Sequence, residues 1–288
     1  MKLFLRRTII YIGLFLLYLN LSPIEKSGVN LSEILLRQTT RRIKDALVQI
    51  IRDNKEPLDY TKLFGTSQII VVGETPGLRR SILDETIREL SFFKENLEFT
   101  HLGLEMFPSD RQYLLEVFFK KNDLREADEF AQQFILPVIK EYWGGDVEMY
   151  MELIKTAKRV GMKGIVALGP PNLTSEESNA WIAKQTQKIL EENQANKILI
   201  YVDYRKIEGN QVPRVLKNLL GGEKLITSLR YVSGTNPCPI CAGYTPIETA
   251  IFRAGLGSEK FMLDLRRIKN ISFPLPQVDG IINLPSIP

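Results

Sequence analysis

Two acidic residues stand where apolar runs break off, and their placing gives them chemistry to do. Glu74 follows Gln68-Ile-Ile-Val-Val72 inside the turn-like Gly73-Glu-Thr-Pro-Gly77, and Glu105 closes the segment FTHLGLEM ahead of Pro108. Each apolar run reads as a buried strand, and in parallel sheets ligands collect outside the carboxyl ends of the strands. If the two strands are neighbours, both carboxylates point into one cleft. Such a pair shares a proton, holds a cation or positions a water. Basic residues lie close in sequence: Arg79 and Arg80 beyond Glu74, and Arg111 six residues past Glu105. Each glutamate taken singly is therefore also explained as a helix cap or as the partner of an arginine. A third acid, Asp203, follows another apolar run at 197–202 and is succeeded by Tyr204 and Arg205. Three carboxylates together suit a hard divalent cation better than zinc.

Other reactive side chains are few. The chain has one histidine, His101, which falls inside the second strand and too early for that cleft, so it reads as a buried or strand-edge residue. Cys238-Pro-Ile-Cys241 sits in a loop rich in proline and glycine. Structural zinc needs four ligands, and the chain has no second cysteine pair. Covalent haem attachment needs a histidine where Ala242 stands. A small disulfide ring, in an oxidising compartment, is the first reading of Cys238 and Cys241; a redox pair and two free thiols are the others. Gly73 and Gly77 lack the Lys-Ser/Thr of a phosphate loop, and no serine stands in a nucleophile elbow.

The elements that must position these residues alternate in type. Apolar runs at 68–72, 99–106, 164–168, 197–202, 225–232, 261–265 and 280–284 predict strands, separated by segments of helical periodicity. The fold class is α/β: a mostly parallel central sheet with helices on both faces, and a helical cap inserted between the second and third strands. One helix is predicted near 124–142 within that cap. Composition agrees: the 288 residues are 44% hydrophobic and 25% charged, which excludes a disordered chain. The net charge is +4, but Lys2, Arg6 and Arg7 supply most of it. A basic nucleic-acid-binding surface is not expected. Those three residues precede an uncharged apolar run at 8–21, the pattern of a signal peptide or membrane anchor over residues 1–24. The basic flank should stay inside, so the body is expected outside the cytoplasm, exported or anchored through this segment. A helical segment over 25–58 and one α/β domain over 59–288 complete the expected organisation.

Taken in order, VVGETPG, LGLEMFPSDRQ, then Trp143 and Tyr150 leading to AKRVGMKGIVAL, and the late MLDLRRI and VDGIINLP resemble the ChaN-like family. That family belongs to the superfamily of haem-binding uptake proteins, erythromycin esterases and TraB/Tiki proteins. The resemblance spans about residues 60–285. It implies a strand-end cleft with Glu74, Glu105 and Arg111 at matching positions, catalytic if the protein is an enzyme. The superfamily's Gly-Glu-x-His has Pro76 in place of histidine, and Asp203, Tyr204 and Arg205 stand where a second histidine usually follows a strand. Water activation by a histidine–glutamate pair is thereby weakened, and small-molecule binding, with haem as one ligand, is favoured over hydrolysis. Haem iron is held by tyrosine, histidine or methionine, so Tyr204 and Tyr150 are the candidate oxygen donors. A hydrolase using Glu74, Glu105 and Asp203 with a metal ion, and a pseudoenzyme that binds a protein partner, are the alternatives.

Overall fold

The computed structural model describes residues 45–74, 79–143, 146–170, 175–207, 211–222, 225–233, 246–268 and 278–285. The leader and the Cys238–Cys241 loop lie outside the described residues. The chain divides into two compact units, residues 1–47 and 48–288. In the first, the described residues 45–47 are helical; everything below concerns the second. Among the described residues no helix is long and apolar enough to cross a membrane.

One eight-stranded sheet carries the fold. Its strands are β1 (Glu56–Pro57), β2 (Ile69–Glu74), β3 (His101–Pro108), β4 (Gly164–Gly169), β5 (Ile198–Asp203), β6 (Ile226–Val232), β7 (Phe261–Asp264) and β8 (Gly280–Asn283). They lie in the order β1-β7-β8-β6-β2-β5-β3-β4. Every contact from β8 across to β4 is parallel, while β7 runs antiparallel to β8 and β1 to β7. Parallel strands are buried on both faces, which is why these runs are continuously apolar rather than alternating; β2 and β6 are buried at every position. Helical character read to residue 58 stops earlier, because Glu56–Pro57 joins the sheet edge. Proline gives no ladder hydrogen bond, and an edge strand is where that is tolerated.

Helices connect the strands: α1 (Tyr60–Phe64), α2 (Arg79–Glu95), α3 (Gln112–Lys120), α4 (Leu124–Phe130), α5 (Leu136–Trp143), α6 (Val147–Arg159), α7 (Ser175–Glu192), α8 (Gln211–Leu220) and α9 (Pro246–Arg253). The insertion between β3 and β4 is the expected cap, with α6 packed on α2 and α5 on β3. Within it the helix predicted near 124–142 is not uniform. A π-helical turn, Ala131–Ile135, separates α4 from α5. The cause is Pro137 in the first turn of α5: proline has no N–H for an i−4 carbonyl, and a π-turn upstream absorbs the mismatch.

Candidate functional site

Glu74 is the last residue of β2 and Asp203 the last of β5, and the two are directly opposite in the ladder. The two strands that carry the glutamates, β2 and β3, are not neighbours. β5 lies between β2 and β3. The reason is the crossover order: the chain leaves β2, builds β3 and β4 to one side, and returns to fill the place between them. The gap does not separate the acids. Glu105 Oε2 accepts the backbone N–H of Asp203 at 2.8 Å, so three consecutive strands bring Glu74, Asp203 and Glu105 to one end of the sheet.

Their environments differ. The Glu74 side chain is 4% exposed. Tyr150, fully buried on α6, donates its hydroxyl to Glu74 Oε2 at 2.5 Å, and Arg79 Nε approaches the same oxygen at 3.6 Å. Glu74 Oε1 is buried with no hydrogen-bond partner among the described residues. Burial raises the Glu74 carboxyl most; the Tyr150 bond and Arg79 oppose it, and the charges of Glu105 and Asp203 add to it, so it is pushed up to about 7. Glu105 instead meets Lys206 Nζ at 2.8 Å. Burial also pushes Asp203 upward, but hydrogen bonds from the Arg205 side chain and backbone outweigh it and hold Asp203 below its ordinary value. One acid of the three is thus undercompensated.

The sequence makes this crowding feasible at Gly73. A Cβ there would sit 2.4 Å from Ile207 Cδ1 and 3.0 Å from Tyr204 Cα, because the 3₁₀ turn Tyr204–Lys206 and Ile207 press on the end of β2. Glycine before Glu74 therefore lets the turn after β5 close over β2.

The expected residues do not all gather. Tyr150 reaches Glu74, but its hydroxyl is thereby committed. Tyr204 stays half-buried on the 3₁₀ turn, its ring 5.3 Å from the Arg230 guanidinium carbon. Arg111 does not meet Glu105. It lies 3.7 Å from the neighbouring Asp110 on a surface turn, because the 3₁₀ segment Ser109–Arg111 turns the chain away from the strand end. Lys206 holds the place expected of it. Among the described residues no group of three His, Cys, Asp or Glu side chains is arranged to hold a metal ion, and two of the three acids are already engaged by cations. His101 opens β3 at the other end of the sheet. Sequence reasoning missed Lys206 and Arg230. The second had a signal: Arg230 is a charged residue in the otherwise uncharged run ITSLRYV, it is completely buried, and it pairs in register with Gly73.

No protein-family model matches the chain, and no curated protein sequence does. Solved structures do. A protein of Bacillus cereus superposes with a TM-score of 0.50 at 10% identity, over 84% of this chain and 97% of its own. An erythromycin esterase mutant in its open conformation gives 0.42 at 9% identity, over 79% and 92%. ChaN of Campylobacter jejuni, in a structure of cofacial haem binding, gives 0.35 at 11% identity, over 67% and 87%. What this chain has in common with the Bacillus cereus protein is a fold.

Proposed function

We propose that this is an extracytoplasmic small-molecule-binding protein whose ligand lies over the strand ends at Glu74. The observation that carries the reading is the Glu74 carboxyl group, buried with Oε1 unpartnered among the described residues and two further acids beside it. Buried polar atoms are nearly always satisfied, and exceptions concentrate where a ligand or a proton is handled. A carboxyl near pH 7 can donate to or accept from a bound polar group. Location outside the cytoplasm rests on the basic and apolar leader. Haem is the first ligand to test, because of the resemblance of the ordered segments. Of the two tyrosines, Tyr204 is the one whose hydroxyl is not given to Glu74, and so the one open to iron. Titrating the protein with haemin should give a saturable, stoichiometric Soret shift that Tyr204→Phe removes; an unsaturable response, unchanged by the substitution, rejects haem.

A second reading has its own support. A carboxyl poised near neutrality is matched to general acid or base work, so Glu74 also fits a hydrolase. Ester hydrolysis abolished by Glu74→Gln, without any haem response, favours that reading over binding.

A further inference from the structure

A second cleft opens at the sheet edge beyond β3. It has a volume of about 750 Å³ and runs along the outer edge of β4, between α3 and α7, within the size range of small-molecule sites. His101 is at its lower end. That residue and Glu105 are four positions apart on β3, about 13 Å along a strand, so this end of the cleft is separate from the acids, while its other end reaches Ser109 and Asp110 just past β3.

The state of His101 follows from hydrogen-bond accounting. The Lys197 carbonyl already accepts two backbone N–H groups, from Thr100 at 2.9 Å and His101 at 3.0 Å. Thr100 Oγ1 in turn accepts from Lys197 N at 3.1 Å and lies 2.8 Å from His101 Nδ1. The Thr100 hydroxyl also lies 3.0 Å from that carbonyl, but the carbonyl already accepts two N–H groups and Nδ1 is nearer, which favours the hydroxyl proton on Nδ1 and the ring proton on Nε2. Nε2–H then has no acceptor among the described residues, although the side chain is 8% exposed. Burial, and after it the charge of Lys163, lower His101 to about 4, so the ring is neutral at physiological pH and offers one fixed donor.

One lysine, Lys163, acts on that ring directly. Lys163 is held by Asn196 Oδ1 at 2.9 Å. The crossover helices run antiparallel to the strands, which brings the last turn of α3, with Lys120, and the later part of α7, with Lys188, toward the same end of the cleft. Among the described residues none of these three lysines has a carboxylate partner. The remaining walls are apolar: Phe119 from α3, Trp181 and Ile189 from α7. Asp110, Glu116 and Glu192 also line the cleft, which disfavours a doubly charged phosphate and leaves room for a single negative charge. An added peptide strand is disfavoured too. The Gln112 side chain already covers the edge, donating to Ile165 O at 3.1 Å and accepting from Ala167 N at 2.7 Å.

We propose that this cleft binds an amphipathic carboxylate, its head on His101 Nε2–H and Lys163 and its apolar body against Phe119, Trp181 and Ile189. The single histidine of the chain makes the test direct, since one ring C–H resonance reports on the site. Full-length protein is titrated with 4-phenylbutyrate, with its uncharged amide, and with inorganic phosphate. The carboxylate should shift the His101 resonance saturably and raise the pH of its titration. Lys163→Gln should weaken binding tenfold or more, Lys188→Gln less, and Lys163→Arg should keep it. No saturable shift with the carboxylate overturns the proposal. So does an equal response to the amide, which would mean an apolar pocket only, or to phosphate, which would mean an anion site without use for the apolar walls. Neither outcome touches Glu74, which is tested separately.

Discussion

Two buried glutamates, eleven residues apart, show how differently one fold treats the same side chain. Glu85, on α2, is completely buried and accepts from Tyr60 at 2.7 Å. Lys260 meets its Oε1 at 2.5 Å and Arg88 its Oε2 at 3.1 Å. Every oxygen has a partner, and the cations are partly in water, so the ion pairs tie α2 to the segment before β7 with little electrostatic tension. Glu74 also has a tyrosine, but one arginine at 3.6 Å and an oxygen with no partner among the described residues. Its acidic neighbours add to the tension. A compensated buried carboxylate fastens a fold, whereas an undercompensated one is held in place by the structure and remains available to a ligand or a proton.

Substitutions should separate the two. Glu85→Ala leaves three partners without their anion and should cost about 3 kcal/mol, the lower end for broken buried pairs because Lys260 and Arg88 can rehydrate; urea unfolding measures it. Tyr150→Phe removes the bond to Glu74 and should cost about 2 kcal/mol at pH 8, where the acceptor is charged, and less at pH 5. Glu74→Gln goes the other way. Replacing an undercompensated charge by an amide should stabilise the protein at pH 8 by on the order of 1 kcal/mol. A loss there comparable to that of Glu85→Ala would erase the distinction. Arg111→Ala is the smallest: a half-buried residue paired only with its sequence neighbour Asp110 among the salt bridges of the described residues should change stability by no more than about 0.5 kcal/mol, and ligand binding at Glu74 should be unaffected.

Much of the frame was legible in the sequence, because continuous β-branched runs ending in glycine or an acid leave few alternatives to buried parallel strands. The seven runs read as strands are strands. What periodicity cannot carry is lateral order. Nothing in the segment around Asp203 announces that it slots between β2 and β3, yet that insertion is what joins the three acids. Partner choice was equally hidden. Arg111 was nearest Glu105 in sequence, but a 3₁₀ turn removes it, and Lys206, a hundred residues on, reaches Glu105 through the crossover. Tyr150 was readable as a candidate side chain, though not as the donor to Glu74, since that contact depends on how the cap helix packs on the sheet.

The account rests most heavily on the charge state of Glu74. Because burial raises its folded value above the unfolded one, its favourable contribution to stability is complete below about pH 4.5 and is lost as pH rises through about 7. Glu74→Gln should flatten that part of the profile. The direct measurement is a carbon-detected NMR titration of the side-chain carboxyl carbons, with Glu74 assigned by comparison with the Gln variant. A Glu74 midpoint near 7 is the predicted result. Titration near 4.5, alongside the exposed glutamates, would show that the carboxyl is solvated or paired after all, and would contradict the assignment of this strand end as the functional site.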